Sequence, residues 1–153
     1  MSNIINEELR AIINDPSSLK VIASVNCDGE LHVVYKQSLH AEENGELEFY
    51  EVIESSQNNK NFVNAIWFDR LVAVNVLTAD KRSFEIKGKV KKAYVAGSYF
   101  EQKYTELVNS GYYDLSTVWR IEPVSAEEKT FAVREEAEKT AHPHFRHLDR
   151  LTK

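Results

Sequence analysis

Between Leu19 and Val124, apolar residues recur at every second position in run after run, with tight-turn residues between the runs. A period of two places alternate side chains on opposite faces of a sheet, whereas a helix repeats near 3.6, so most of the chain is committed to strands. Leu19, Val21, Ala23 and Val25 alternate with Lys20, Ile22, Ser24 and Asn26. Asp28-Gly29 marks a hairpin, because glycine supplies the positive φ of a tight turn, and Leu31, Val33 and Tyr35 alternate on the return. After a second turn at Asn44-Gly45, Leu47 and Phe49 point one way and Glu48 and Tyr50 the other. Leu71–Leu77 is apolar throughout apart from Asn75, which predicts a central strand covered on both faces. Phe84, Ile86, Gly88 and Val90 alternate with Glu85, Lys87, Lys89 and Lys91, a solvated basic row. Gly88 within that strand predicts a bend or a close backbone approach. A last strand is expected from about Leu115 to Val124.

Helical periodicity is confined to short stretches. Ile5, Leu9, Ile12 and Ile13 share one face of a helix over 3–14, with Ser2 or Asn3 as caps and Asn14-Asp15-Pro16 as the stop. Ser55-Ser56 opens a second helix, reaching about Ile66. Ser98-Tyr99-Phe100-Glu101 reads as a capping box for a third, ending at Ser110-Gly111. The charge-rich tail is partly helical up to His142-Pro143. Together these predict a mainly β protein with peripheral helices: about six strands in a small closed or split barrel. The 153 residues form a single domain, with the barrel at about 17–124 and the charged tail at about 125–153.

Composition narrows the function. A net charge of −5 disfavours binding a nucleic-acid backbone. Cys27 is the only cysteine, which rules out an internal disulfide or a cysteine metal cluster. Neither a leader sequence nor a membrane span is expected, and a reducing cytoplasm is the simplest location.

Four stretches, in order, carry a resemblance: the hairpin Val21 to Tyr35, Leu47-Glu48-Phe49-Tyr50, Ser56-Gln57-Asn58-Asn59-Lys60-Asn61-Phe62, and Arg82-Ser83-Phe84-Glu85-Ile86-Lys87-Gly88. In these the chain resembles the pyridoxamine 5′-phosphate oxidase-like, FMN-binding split barrels, general-stress-protein members included. The resemblance implies a six-stranded split β-barrel that forms a homodimer, with FMN in clefts between the subunits and a small-molecule redox substrate. It places Tyr35, Lys36, Gln37 and Ser38 along the flavin ring, the segment from Glu51 to Ser56 by the ribityl chain, and Ser55, Ser56, Asn58 and Asn61 near the phosphate. A helix start suits an anion, because its free N–H groups and dipole both attract negative charge. The chain departs from the oxidases at Val34, where they carry arginine, and at Asn58, where they carry lysine. Lys36, Lys60 and Arg82, the last with Ser83 beside it, are the candidate replacements. Non-catalytic modules of the same fold, holding haem or a deazaflavin or having an empty cleft, are the alternatives.

Each candidate also has a plain structural reading. The Ser55, Ser56, Asn58 and Asn61 group fits a helix cap as well as a phosphate site. Trp119 and Tyr35 fit core or interface packing as well as a flavin ring. His142, His144 and His147 lie close in sequence, but Pro143 interrupts them and no familiar metal-ligand spacing is completed. No carboxylate pair, serine triad or phosphate-loop motif is present, so no side chain is assigned as a catalytic acid, base or nucleophile.

Overall fold

The structure is a computed structural model and describes residues 4–151. The elements run α1 (Glu7–Asn14), β1 (Leu19–Val25), β2 (Leu31–Tyr35), β3 (His40–Ala41), β4 (Leu47–Glu51), α2 (Gln57–Trp67), β5 (Leu71–Leu77), β6 (Ser83–Tyr94), α3 (Ser98–Asn109), β7 (Thr117–Glu128) and α4 (Phe131–Ala141). The strands form one antiparallel sheet in the order β2-β1-β5-β6-β7-β4-β3, curled into a half-barrel. Among the described residues there are seven strands rather than six. The additional one, β3, has two residues, too few to show an alternation in sequence.

The curl depends on local chemistry. At the first hairpin, Asn26 Oδ1 accepts from the backbone N–H groups of Asp28 and Glu30, and Gly29 takes φ 83°. Gly88 sits where β6 and β7 slip register. A Cβ there would lie 2.5 Å from Ile121 Cγ2 and 2.9 Å from the Glu122 carbonyl oxygen, so the close approach excludes any side chain. β7 continues past the predicted end at Val124, because its pairing with β6 extends to Phe84↔Glu128.

Two helix starts differ from expectation. α1 is capped by Asn6, whose Oδ1 accepts from the Leu9 N–H at 2.8 Å, and the predicted caps Ser2 and Asn3 lie outside the described residues. In α3 the cap is Gly97 at φ 94°, with no side-chain bond, and Ser98 is already helical. The predicted capping box does not form, because the glycine takes the entry position.

The core lies inside the curl. Ile22, Val74, Val76 and Ile86 meet Leu47, Phe49, Trp119 and Ile121 across the interior, with Phe62 of α2 inserted among them. A smaller core of Leu107, Leu115 and Val118 lies under α3. On β1 the inward residues are Lys20, Ile22 and Ser24, and the more apolar set, Leu19, Val21, Ala23 and Val25, faces out. Lys20 is tolerated inside because its ammonium donates to the carbonyls of Ile13 and Leu39 at 3.0 and 2.8 Å; burial pushes its pKa down. β5 is central, as predicted, but only one face is buried: Leu71 is exposed, and Ala73, Asn75 and Leu77 are half-buried. α4 buries none of its residues. Among the described residues, no helix is long and apolar enough to cross a membrane.

Candidate functional site

β4 carries polar chemistry on both faces. Leu47, Phe49 and Glu51 face the barrel interior, and Glu48 and Tyr50 face α3. Glu51 is fully buried. Lys36 Nζ, at the end of β2, donates to its two oxygens at 3.0 and 2.9 Å and lies 5.9 Å from the Phe49 ring centroid. Asn58 Nδ2 also approaches Glu51, at 3.4 Å, while the buried Asn58 Oδ1 has no hydrogen-bond partner. One turn along α2, Asn61 donates to Ser24 Oγ at 3.0 Å and accepts from Gln57 Nε2 at 2.7 Å.

The first turn of α2 is held from two sides. Ser56 is its cap, accepting from the Asn59 N–H at 3.0 Å. Trp119 Nε1 donates to Asn59 Oδ1 at 2.9 Å, and the Trp119 ring packs edge-on against Phe62 at 5.3 Å. Trp119 is therefore a core residue that also forms one wall of a cleft of about 510 Å³, lined with Glu54, Asn59, Val63, Phe100 and Thr117. Ser55 and Lys60 are exposed at the helix start, and no carboxylate lies within ion-pairing distance of Lys60 among the described residues.

The structure thus brings Lys36, Glu51, Ser55, Ser56, Asn58, Lys60, Asn61 and Trp119 to one end of the barrel, but divides them by depth. Asn58 and Asn61 are buried, the Asn61 amide bonded at both ends and the Asn58 amide only through Nδ2, whereas Ser55 and Lys60 reach solvent. Ser38 Oγ accepts from the Tyr50 N–H at 3.1 Å and so joins the β2–β3 connection to β4. Tyr35 is 53% exposed on the outer face of β2, its hydroxyl donating to Gln37 Oε1 at 2.6 Å. Arg82 and Ser83 lie apart, at the β5–β6 turn. Arg82 pairs with Glu128 at 3.1 Å and Glu8 at 3.4 Å, and Ser83 Oγ accepts from Asn75 Nδ2.

A second polar cluster escaped the sequence reading. Strand register aligns His40 with Glu48, Glu48 with Arg120, and Arg120 with Lys92 across four strands. Glu48 is fully buried, and its Oε2 accepts from Tyr99 Oη and Arg120 Nε, both at 2.6 Å. Arg120 also reaches the Tyr99 hydroxyl at 2.9 Å and Glu46 at 3.2 Å, and Glu46 pairs with Lys91. Burial pushes the Glu48 carboxyl up, but the groups of His40, Tyr99 and Arg120 outweigh it and hold it at about 2. Burial and the bond to Glu48 push Tyr99 up to about 12. Burial lowers His40, but its contacts with Glu48 and the Ser38 carbonyl, and the charges of Glu48 and Glu42, raise it overall. Nothing local in the sequence marks Glu48, because its partners come from β3, β7 and α3.

In the tail, His142 stacks on Phe145 at 4.2 Å. The one group of three or more potential metal-ligating side chains gathered within 4.8 Å among the described residues is His40, Glu42 and Glu48.

Solved structures share this architecture. An FMN-binding protein from Syntrophomonas wolfei superposes with a TM-score of 0.63 at 15% identity, covering 82% of this chain and 86% of its own. The chain shares the split-barrel fold of these structures. A pyridoxamine 5′-phosphate oxidase-like protein of Lactobacillus delbrueckii gives a TM-score of 0.60 at 15% identity over 82% of this split barrel and 95% of that chain. HutZ, the haem-storage protein of Vibrio cholerae, gives 0.54 at 10% identity over 81% and 94%. No family model and no curated protein sequence matches the chain.

Proposed function

We propose that this split barrel binds FMN non-covalently between two copies of the chain and exchanges electrons with a small molecule. The observation that carries the reading is the start of α2, on a fold shared with an FMN-binding protein. There Ser55 and the unpaired Lys60 stand exposed beside the free N–H groups of a capped first turn. Lys36 is neutralised by Glu51, and Val34 packs against the core, so Lys60 and the helix dipole are the local positive charge. FMN supplies the redox chemistry when bound. Ser55, Lys60 and the first-turn N–H groups would hold its phosphate. Asn58, Asn61 and Trp119 fix the helix that presents them.

The dimer in this reading is supported by the outer sheet face. Leu31, Val33 and Tyr35 are 84%, 64% and 53% exposed. They align across β1 with Val25, Ala23 and Val21 as one apolar patch. A contiguous apolar face of this kind favours a protein partner over water.

The absorption spectrum of protein purified from its host tests the cofactor. A flavin band near about 450 nm supports the reading. A sharp haem band would instead favour the second reading, a haem-holding module, suggested by HutZ and by the absence of cations at Val34 and Asn58. Sedimentation tests the dimer, and a persistent monomer would remove half of the proposed cleft.

A further inference from the structure

On the α3 side of β4, one buried oxygen has no donor. Glu48 Oε2 takes the bonds from Tyr99 and Arg120, and Oε1 has no hydrogen-bond partner although the residue is fully buried. Leaving a buried carboxylate oxygen unmatched is costly. The polar atom facing it is His40 Nε2, at 3.3 Å, which also lies 3.0 Å from Glu42 Oε1. His40 Nδ1 lies 2.8 Å from the Ser38 carbonyl oxygen, which only accepts, so Nδ1 carries a proton. In the neutral ring Nε2 is then a lone pair facing two carboxylate oxygens. Three acceptors converge there, and only a proton or a cation among them can satisfy all three.

We propose that His40, Glu42 and Glu48 form a binding site for a divalent first-row metal ion, Zn²⁺ fitting best. A tetrahedral Zn²⁺ with bonds of about 2.0–2.1 Å sets neighbouring ligand atoms about 3.3–3.4 Å apart. The separations of 3.0 and 3.3 Å are close to that edge length, and all three ligand atoms lie within 4.8 Å of one another. One imidazole with two carboxylates is a donor set suited to zinc. The outer supports are also present. The Ser38 carbonyl fixes the imidazole tautomer, and Tyr99 and Arg120 grip Glu48 by its other oxygen so that Oε1 points at the site. Arg120 bonds the other oxygen of Glu48, and its own charge is offset by Glu46, 3.2 Å away. The side chains of His40 and Glu42 are 28% and 30% exposed, which leaves a solvent side for entry and for a water as fourth ligand.

The test is calorimetric titration of the full chain with Zn²⁺ near neutral pH. It is done in a His142→Ala, His144→Ala, His147→Ala background, so that the tail histidines do not compete. The site predicts one Zn²⁺ per chain and, with Co²⁺ in its place, the intense visible absorption of a tetrahedral complex. Glu42→Gln, at a partly exposed position that leaves the core untouched, should weaken binding by about tenfold or more, and His40→Gln more still. Absence of zinc uptake by the folded protein would overturn the site. So would stoichiometric uptake that Glu42→Gln leaves unchanged.

Discussion

Glu48 and Glu51 are both fully buried on the same five-residue strand, yet the protein treats them in opposite ways. Glu48 is gripped at one oxygen by Arg120 from β7 and Tyr99 from α3, while its other oxygen faces His40 of β3 at 3.3 Å. Glu51 has one lysine that is itself 16% exposed and one long amide contact, and that amide keeps an unmatched oxygen. The first arrangement ties the edge of the half-barrel to its covering helix. The second lies next to the start of α2, where Ser55 and Lys60 are exposed to solvent. A strand with a period of two delivers both, one to each face.

The contrast predicts its own order of effects. Arg120→Met should be the most damaging change, because it strands a buried carboxylate, and should cost about 3–5 kcal/mol in urea unfolding. An equal loss from Lys36→Met would erase the distinction. Next is acid stability. The Glu48 carboxyl is held at about 2 in the folded protein against an ordinary value of 4.5, so its contribution is complete above pH 4.5 and is lost as pH falls toward 2. That contribution is on the order of 3 kcal/mol. Unfolding measured across this window should show the fall in the wild type and a flatter profile in Glu48→Gln. Lys36→Met should cost less, about 2 kcal/mol, because Glu51 keeps its contact with Asn58 and the lysine that is lost is itself partly exposed. Gly88→Ala should cost about 1–2 kcal/mol by forcing β6 away from Ile121, and should disturb the β6–β7 register that places Arg120 opposite Lys92.

The alternation in the sequence made the strands legible, and Asp28-Gly29 and Ser56 made the turn and the cap legible, because each depends on neighbours within a few residues. The sidedness of the sheet was not. Leu19, Val21, Ala23 and Val25 look like a core face, but Lys20, Ile22 and Ser24 turn inward because α1 and α2 supply partners for the lysine and the serine. The site was legible as a segment but not in depth: Asn58 and Asn61 share the helix start with Ser55 and Lys60, and only burial separates them. Arg82 is a reasonable anion ligand on paper, and Glu8 and Glu128, distant in sequence, occupy it in the fold. The Glu48 cluster was hidden for the same reason, since strand register and not local spacing assembles it.

Titration of cofactor-stripped protein with FMN, followed by quenching of flavin fluorescence, bears most directly on the proposed cleft. Saturable binding of about one FMN per chain, weakened by about tenfold in Lys60→Glu, is the predicted result. A titration with no quenching, in protein whose circular dichroism is intact, would contradict it.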